Sequence, residues 1–295
     1  MNKFSERESI DLIRLRYFQH QLNEKLKARQ FNRIPIHLAF GREAVAVGMD
    51  LIMATDDLLC VSHRNAAFNL ARSKSLDSAL KHYQLLARPD RMGQMASMNL
   101  ADDNTNIAYA SSILGNNLAV AMGIAMNRKL LKRSGIAFVA TGDGAMEEGA
   151  FWESLIFAKS HALSLVVVIE NDDCSMSSTI KQRRSAIDVS LVCAGLGVAY
   201  YKADGASLPA VKAALSSASD DALSNMPAVV EFEVTTFCQH AGPTPGWPDD
   251  PLHIDLADGL LLGDEPNDPL NHLFKAIGSV EFNRLTDLVM KENAH

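Results

Sequence analysis

The sequence predicts an α/β fold: a doubly wound, mainly parallel sheet with helices on both faces. Three observations predict it. Between residues 136 and 237, short apolar runs alternate with segments of helical spacing, the pattern of stacked βαβ units. The apolar runs are continuous, as strands covered on both faces require. The chain has 295 residues, 47% hydrophobic but only 6% aromatic; that is enough for a large core and too few rings for a sandwich or lectin-like module.

In chain order, residues 5–30 set Ile10, Ile13, Phe18 and Leu22 among many charges, which predicts an amphipathic helix on the protein's flank. Residues 41–60 are small and apolar at helical spacing and break at Thr55-Asp56-Asp57. Residues 75–87 read as a further helix, and 88–107, mixing Pro, Gly, Asn and Asp, as a long loop. GNNLAVAMGIAMNRKLL (115–131) is a small-residue helix suited to close packing. IAFVAT (136–141) is a buried strand, GDGAMEEG (142–149) a loop, FWESLIFAKSHA a helix, and LSLVVVIE (163–170) the next strand, followed by the polar loop NDDCSMSST. GVAYYKADG (197–205), the helix LPAVKAALSSA and the strand AVVEFEVTTF (228–237) complete the alternation. A Pro-rich loop, 240–252, precedes a helical tail. The expected organisation is one domain over 1–295, with a helical N-terminal flank at 1–35 and a helical C-terminal tail at 253–295.

Lys and Arg number 28 against 35 Asp and Glu, a net charge of −7, and no basic cluster exceeds Arg183-Arg184; this gives no support for a nucleic-acid or anionic-membrane partner. The apolar runs fall far short of the ~20 residues a membrane helix needs. The N-terminus, MNKFSERESIDLIRLRYF, is too charged for a secretory signal. Cys60, Cys174, Cys193 and Cys238 form no CxxC and are read as reduced thiols of a cytoplasmic protein.

The loop 142–149 joins a strand to a helix, where glycine-rich loops usually cradle phosphate, yet it carries Asp143, Glu147 and Glu148 and no Lys or Arg. It is not a P-loop, which needs a Lys where Ala150 follows Gly149, nor a dinucleotide fingerprint, which needs a Gly where Glu147 stands. A carboxylate repels a bare phosphate unless a divalent cation lies between them, and Mg²⁺ takes one or two carboxylates plus phosphate oxygens. Asp172, 29 residues further on, follows the next strand, so the two acids can meet at the carboxyl rim of the sheet, where ligands bind. Singly, Asp143 reads better as a helix cap and Asp172 as a turn residue. As a pair in that order they point to a metal–phosphate site. Glu147 and Glu148 read as loop support and a first-turn acid rather than catalysts. Arg183 and Arg184 either steer an anion or a partner or form a solvated pair. His82, His161 and His253 show no metal-like spacing, and the Met-rich stretch 92–98 suits an adaptable lid.

GDG followed one helix and one strand later by a polar, Asn-containing loop resembles the thiamin diphosphate signature. The longer string GDGAMEEGAFWESLIFAKSHALSLVVVIEND resembles the α subunits of 2-oxoacid dehydrogenase E1 components. IHLAFGREAVAVG (36–48), SHRNAAFNLARS (62–73), SSILGNNLAVAMG (111–123), ADG (203–205), HAGP (240–243) and DPL (268–270) follow in family order and carry the likeness over residues 30–275. The resemblance implies the thiamin diphosphate-binding fold, in its diphosphate-binding form. It implies Mg²⁺ held by Asp143, Asp172 and the backbone carbonyl of Cys174. The amides of Gly144 and Ala145, after Gly142, would face the diphosphate at the start of the next helix. Arg64 would pair with the diphosphate beside His63; Ser112 and Leu114 would meet the aminopyrimidine through backbone atoms. His240 would lie in a loop closing over the phosphates; His240 and Asn99 are the expected catalytic residues, Asn99 standing where a substrate-facing His is common. Ala66 stands for a usual His, Thr236 for a usual Arg, and Asp172 for a usual Asn, adding a negative charge.

The function this resemblance implies is an α-type subunit of a thiamin diphosphate- and Mg²⁺-dependent enzyme that decarboxylates a 2-oxo acid and transfers the acyl-anion equivalent. The family places an activating glutamate on a second, aminopyrimidine-binding unit. A β-type subunit is therefore the expected partner, in an α2β2 assembly with the active site at the interface. Ala66 and Asn99 motivate the alternative of a carboligase or transketolase-like subunit using a ketose. A non-catalytic scaffold that keeps the fold is the alternative outside enzymes.

Overall fold

The computed structural model describes residues 4–28, 36–78, 105–239, 243 and 249–293. The chain opens on helix α1 (Glu6–Lys27), started by a capping box in which Ser5 and Glu8 satisfy each other's backbone amides. Helix α2 (Glu43–Ile52) leads into strand β1 (Leu58–Ser62) and helix α3 (Ala66–Ser73). Then come β2 (Ile107–Ser111), α4 (Asn116–Leu130), β3 (Ala137–Gly142), a 3-10 turn over Asp143–Glu147, α5 (Gly149–Ser160) and β4 (Leu165–Asn171). A short helix α6 (Ile180–Arg183) and helix α7 (Val189–Leu196) precede β5 (Ala199–Asp204), α8 (Leu208–Leu223) and β6 (Ala228–Glu233). Helices α9 (Pro269–Ile277) and α10 (Ser279–Glu292) end the described chain.

The six strands are all parallel, in the order β2-β1-β3-β4-β6-β5. Strand periodicity divides the core into two layers. Val166 and Val168 of β4, with Phe138 and Ala140 of β3, pack with residues of α1, α2, α3, α8, α9 and α10. Leu165, Val167 and Ile169, with Ala137 and Val139, pack with residues of α4, α5 and α7. Alternate residues of one apolar run thus feed opposite layers, which is why these strands carry no polar face. The chain visits β1 and β2 before crossing to β3 on the other side of β1, so the order reverses between β1 and β3 and leaves a crevice at their carboxyl ends.

Several boundaries differ from the sequence reading. Helix α1 is not a flank: Arg16, Gln19, His20 and Asn23 are buried along with its apolar residues. Its central charge, Arg16, is sequestered, while Glu6 and Arg7 at its start stay exposed. Arg16 donates to Glu43 (2.6 and 3.1 Å), to Asp268 (2.6 and 3.2 Å) and to the Leu260 carbonyl (2.9 Å). Gln19 and the Gly41 amide also donate to Glu43. Asp268 caps α9 by accepting from the Leu270 amide. The C-terminal tail is core for the same reason, with Leu270, Leu273, Phe282, Leu285 and Val289 buried; before Pro269 it is irregular, with one 3-10 turn. The helical reading of 41–60 overran into β1, and the loop reading of 88–107 overran the start of β2 at Ile107. Gly197 caps α7 at φ +68° rather than opening a strand, and α7 itself was not anticipated. Most of the helix read at 75–87, all of the lid at 92–98 and most of the Pro-rich loop lie outside the described residues.

Candidate functional site

Four of the six described strands, β1 to β4, deliver residues to the same crevice. β1 ends at Ser62 and is followed by His63 and Arg64; β2 ends at Ser111 and is followed by Ser112 and Leu114. β3 ends at Gly142 before Asp143, Gly144 and Ala145, and β4 ends at Asn171 before Asp172 and Cys174. The register sets Gly142 beside Glu170 and Asn171 beside Glu233, so the tips of β3, β4 and β6 are level. His63, Arg64, Ser112, Leu114, Gly142 to Ala145, Asp172 and Cys174 line one cavity of about 300 Å³, which gathers every described residue of the expected set. Asn99 and His240 lie outside the described residues.

Each of the two carboxylates meets a guanidinium through one oxygen. Arg183 donates to Oδ2 of Asp143 at 2.5 Å, and Oδ1 of Asp143 is buried without a hydrogen-bond partner among the described residues. Asp172 accepts on Oδ2 from Arg42 and from the Thr236 hydroxyl (2.8 Å). Burial pushes the Asp143 carboxyl up; Arg183 pulls it back, Asp172 pushes it up again, and the net shift is upward. Burial also pushes Asp172 up, but Arg42, Thr236 and Arg64 more than reverse this, and its carboxyl sits below the usual range. Asp143 thus carries charge at a cost that a cation at Oδ1 would remove.

The donors suit a hard cation. Two carboxylates and a backbone carbonyl are oxygen ligands, as Mg²⁺ prefers. Among the described residues no three His, Cys, Asp or Glu side chains group as a metal cluster, so a third protein ligand would come from the backbone. Gly144 forms a cradle: an added Cβ would meet Ser175 Oγ at 2.5 Å and Cβ at 2.8 Å. Opposite, Arg64 is buried, donates to the Leu38 carbonyl (2.9 Å), and is pulled down to about 10 by burial and by the like charge of Arg42. His63 is pulled down to about 4 by burial, Arg64 and Arg42, and its ring lies edge-on to His37, 4.7 Å between centroids. A neutral His63 beside two guanidiniums leaves the positive charge on the arginines.

Two expectations need correction. Gly144 and Ala145 do not start a helix; they lie in the 3-10 turn, and α5 begins at Gly149 with Glu148 as its N-cap. Their amides can still donate to an anion, but without the axial dipole of α5. Arg183 and Arg184 are not a solvated pair, for Glu147 bridges them (2.8 and 3.3 Å) and Arg183 reaches Asp143. The sequence reading also missed Arg42, His37 and Glu170, which line the cavity. Arg42 sits in the FGREA stretch, which was read for its apolar helical spacing and its family likeness but given no site role; a lone basic residue opening an apolar helix was the available signal.

The sequence matches the family model described as Dehydrogenase E1 component over residues 11–242. It is 29% identical over 210 residues to the pyruvate dehydrogenase E1 component subunit alpha-1, mitochondrial, of Oryza sativa subsp. japonica, covering 71% of this chain and 53% of that protein. It is 30% identical over 213 residues to the mitochondrial alpha subunit of Pisum sativum, covering 71% and 52%. It is 26% identical over 203 residues to the alpha subunit of Rhizobium meliloti (strain 1021), covering 68% and 58%. The chain spans about half the length of the curated relatives it matches. The cytoplasmic expectation does not stand, because the plant relatives are named mitochondrial; free thiols speak to redox state and not to compartment. With the parallel sheet, the acid-lined crevice and a match over most of its length, the chain belongs to the dehydrogenase E1 component family, as an α-type member.

Proposed function

We propose that this chain binds thiamin diphosphate through Mg²⁺ and serves in the decarboxylation of a 2-oxo acid, with transfer of the resulting acyl-anion equivalent. The observation that carries the reading is Oδ1 of Asp143, buried without a hydrogen-bond partner among the described residues in a crevice shared with Asp172 and Arg64. Asp143, Asp172 and the Cys174 carbonyl hold the cation, and Arg64 and the amides of Gly144 and Ala145 hold the diphosphate. Bound there, thiamin diphosphate supplies the electron sink that loss of CO₂ requires. The chain's own part is to bind, orient and dry the anionic end. Ser112 and Leu114 line the approach. His240 and Asn99 are the candidates for contact with the substrate.

A β-type subunit is the partner this reading calls for, in an α2β2 assembly. The cavity is flanked by Ile113, Leu114 and Met176, which are 67%, 40% and 64% exposed, and a partner covering them removes apolar surface from water. The relatives' names, all pyruvate dehydrogenase E1 alpha subunits, favour a 2-oxo acid over a ketose.

The test is calorimetric titration of thiamin diphosphate into the chain together with its co-purifying subunit, with Mg²⁺ and with EDTA. Mg²⁺-dependent uptake is expected, followed by CO₂ release from a 2-oxo acid with an artificial electron acceptor. No uptake with Mg²⁺ present contradicts the cofactor assignment; uptake without CO₂ release supports the scaffold alternative.

A further inference from the structure

Arg42 is buried, yet all its described side-chain partners come from the carboxyl rim of the sheet. Its Nε donates to the Thr236 hydroxyl (2.7 Å), Nη1 approaches Glu170 (3.4 Å) and Nη2 donates to Asp172 Oδ2. One guanidinium thereby ties the turn before α2 to the tip of β4, the loop after it and the segment after β6. That turn is fixed by a close approach. Gly41 has φ +95°, and an added Cβ would lie 2.1 Å from the Thr235 carbonyl. The Phe237 amide donates to the Phe40 carbonyl at 3.0 Å. Arg42 is therefore held against Thr236 by backbone and cannot swing away as a surface arginine would.

The charges at the crevice balance. Arg42, Arg64 and Arg183 offset Asp143, Glu170 and Asp172, so these groups carry little net charge of their own into a site that would take a divalent cation together with an anionic diphosphate. Without Arg42, Oδ2 of Asp172 would keep only the Thr236 hydroxyl, and an uncancelled charge would face the same crevice.

We propose that Arg42 and Asp172 work as one unit in cofactor binding. Arg42 occupies Oδ2, so that Asp172 offers the cation a single oxygen, and it cancels the charge that would otherwise repel the diphosphate. Arg42 is a positioning residue, and the proposal rests on the thiamin diphosphate reading above.

The consequence is a reversal of sign. Arg42→Gln strands the Asp172 carboxylate, and thiamin diphosphate affinity at saturating Mg²⁺ falls by ~10-fold or more. Asp172→Asn alone removes a ligand charge and also lowers affinity. Adding Asp172→Asn to Arg42→Gln removes the stranded charge and raises affinity, to within ~3-fold of the wild-type chain. The experiment is the four-protein cycle, the full chain with its co-purifying subunit, titrated by calorimetry and melted without cofactor. A double variant that binds better than Arg42→Gln supports the pairing, because the loss in Arg42→Gln then comes from the stranded Asp172 charge and not from the missing guanidinium alone. A double variant whose loss is the product of the single losses overturns it. Should Arg42→Gln not fold, recovery of folding in the double variant supports the pairing, and failure of both overturns it. A wild-type chain that takes up no thiamin diphosphate defeats the cofactor reading instead. The melting temperatures then decide the pairing by the same comparison.

Discussion

Arg42 and Glu43 are neighbours in the chain and belong to two different buried ion networks. Glu43 joins Arg16 and Asp268, away from the crevice, where side chains and backbone engage every carboxylate oxygen. Arg42 joins Asp172, Glu170 and Thr236 at the rim of a cavity, where Asp143 Oδ1 has no partner among the described residues. Both networks bury charge at a cost. The first recovers that cost within the protein and fixes α1, the turn before α2 and the cap of α9 to one another. The second is left incomplete and needs something from outside to complete it. A buried charge signals a site when its surroundings leave an oxygen unsatisfied next to open space.

Breaking the closed network has the largest expected effect. Arg16→Met strands Glu43 and Asp268, and the loss is ~3–5 kcal/mol of stability, read by urea denaturation. Cofactor affinity of the fraction that remains folded stays near wild type; a selective loss of affinity would erase the distinction between the two networks. Gly144→Ala probes the open side, since its Cβ must displace Ser175. Overpacking of this kind costs ~1–3 kcal/mol, so the melting temperature of the cofactor-free chain falls by several degrees, and the cofactor affinity falls by ~10-fold besides.

Arg183→Gln sharpens the comparison further. This arginine is only 12% exposed and its partner Asp143 is buried, so removing it leaves a buried carboxylate without its guanidinium and costs ~1–3 kcal/mol of stability in the cofactor-free chain. It frees Asp143 Oδ2, and the Mg²⁺ concentration needed for half-saturation falls; a rise would show that Arg183 serves the diphosphate rather than restraining the carboxylate.

The smallest effect lies beside the closed network. His20 is buried with neither ring nitrogen hydrogen-bonded among the described residues. Burial and the nearby charges of Arg16 and Lys27 pull its pKa to about 3. The unfolded chain, with an ordinary histidine of 6.5, binds a proton below that pH which the fold refuses. Stability therefore falls as pH drops from 6.5 toward 3, by at most ~1.4 kcal/mol per pH unit. His20→Leu removes that slope and adds ~1 kcal/mol near neutrality. An unchanged acid limb in the pH dependence of unfolding would show that His20 is not its source.

The sheet was legible where the sequence was continuous and apolar, and the crevice where a Gly-rich loop carried an acid. β1 was not, because LLCVS continues the apolar run of α2 after a three-residue break, and periodicity does not separate short buried strands from helix. Helix α1 was misplaced to the surface because its charges were read as solvated. Their partners, Glu43 and Asp268, lie 27 and 252 residues from Arg16, and no local pattern reveals them. Arg42 escaped for the same reason, 130 residues from Asp172. Asp143 and Asp172 could be paired from sequence because a βαβ unit fixes where consecutive strand ends go.

The most direct measurement is the anomalous scattering of Mn²⁺ in crystals grown with thiamin diphosphate. One Mn²⁺ peak is predicted ~2.0–2.3 Å from Oδ1 of Asp143 and from Asp172, with Arg42 still on Oδ2 of Asp172. A peak elsewhere, or both carboxylates still capped by their arginines with no metal between them, contradicts the claim that these two strand tips share a cation.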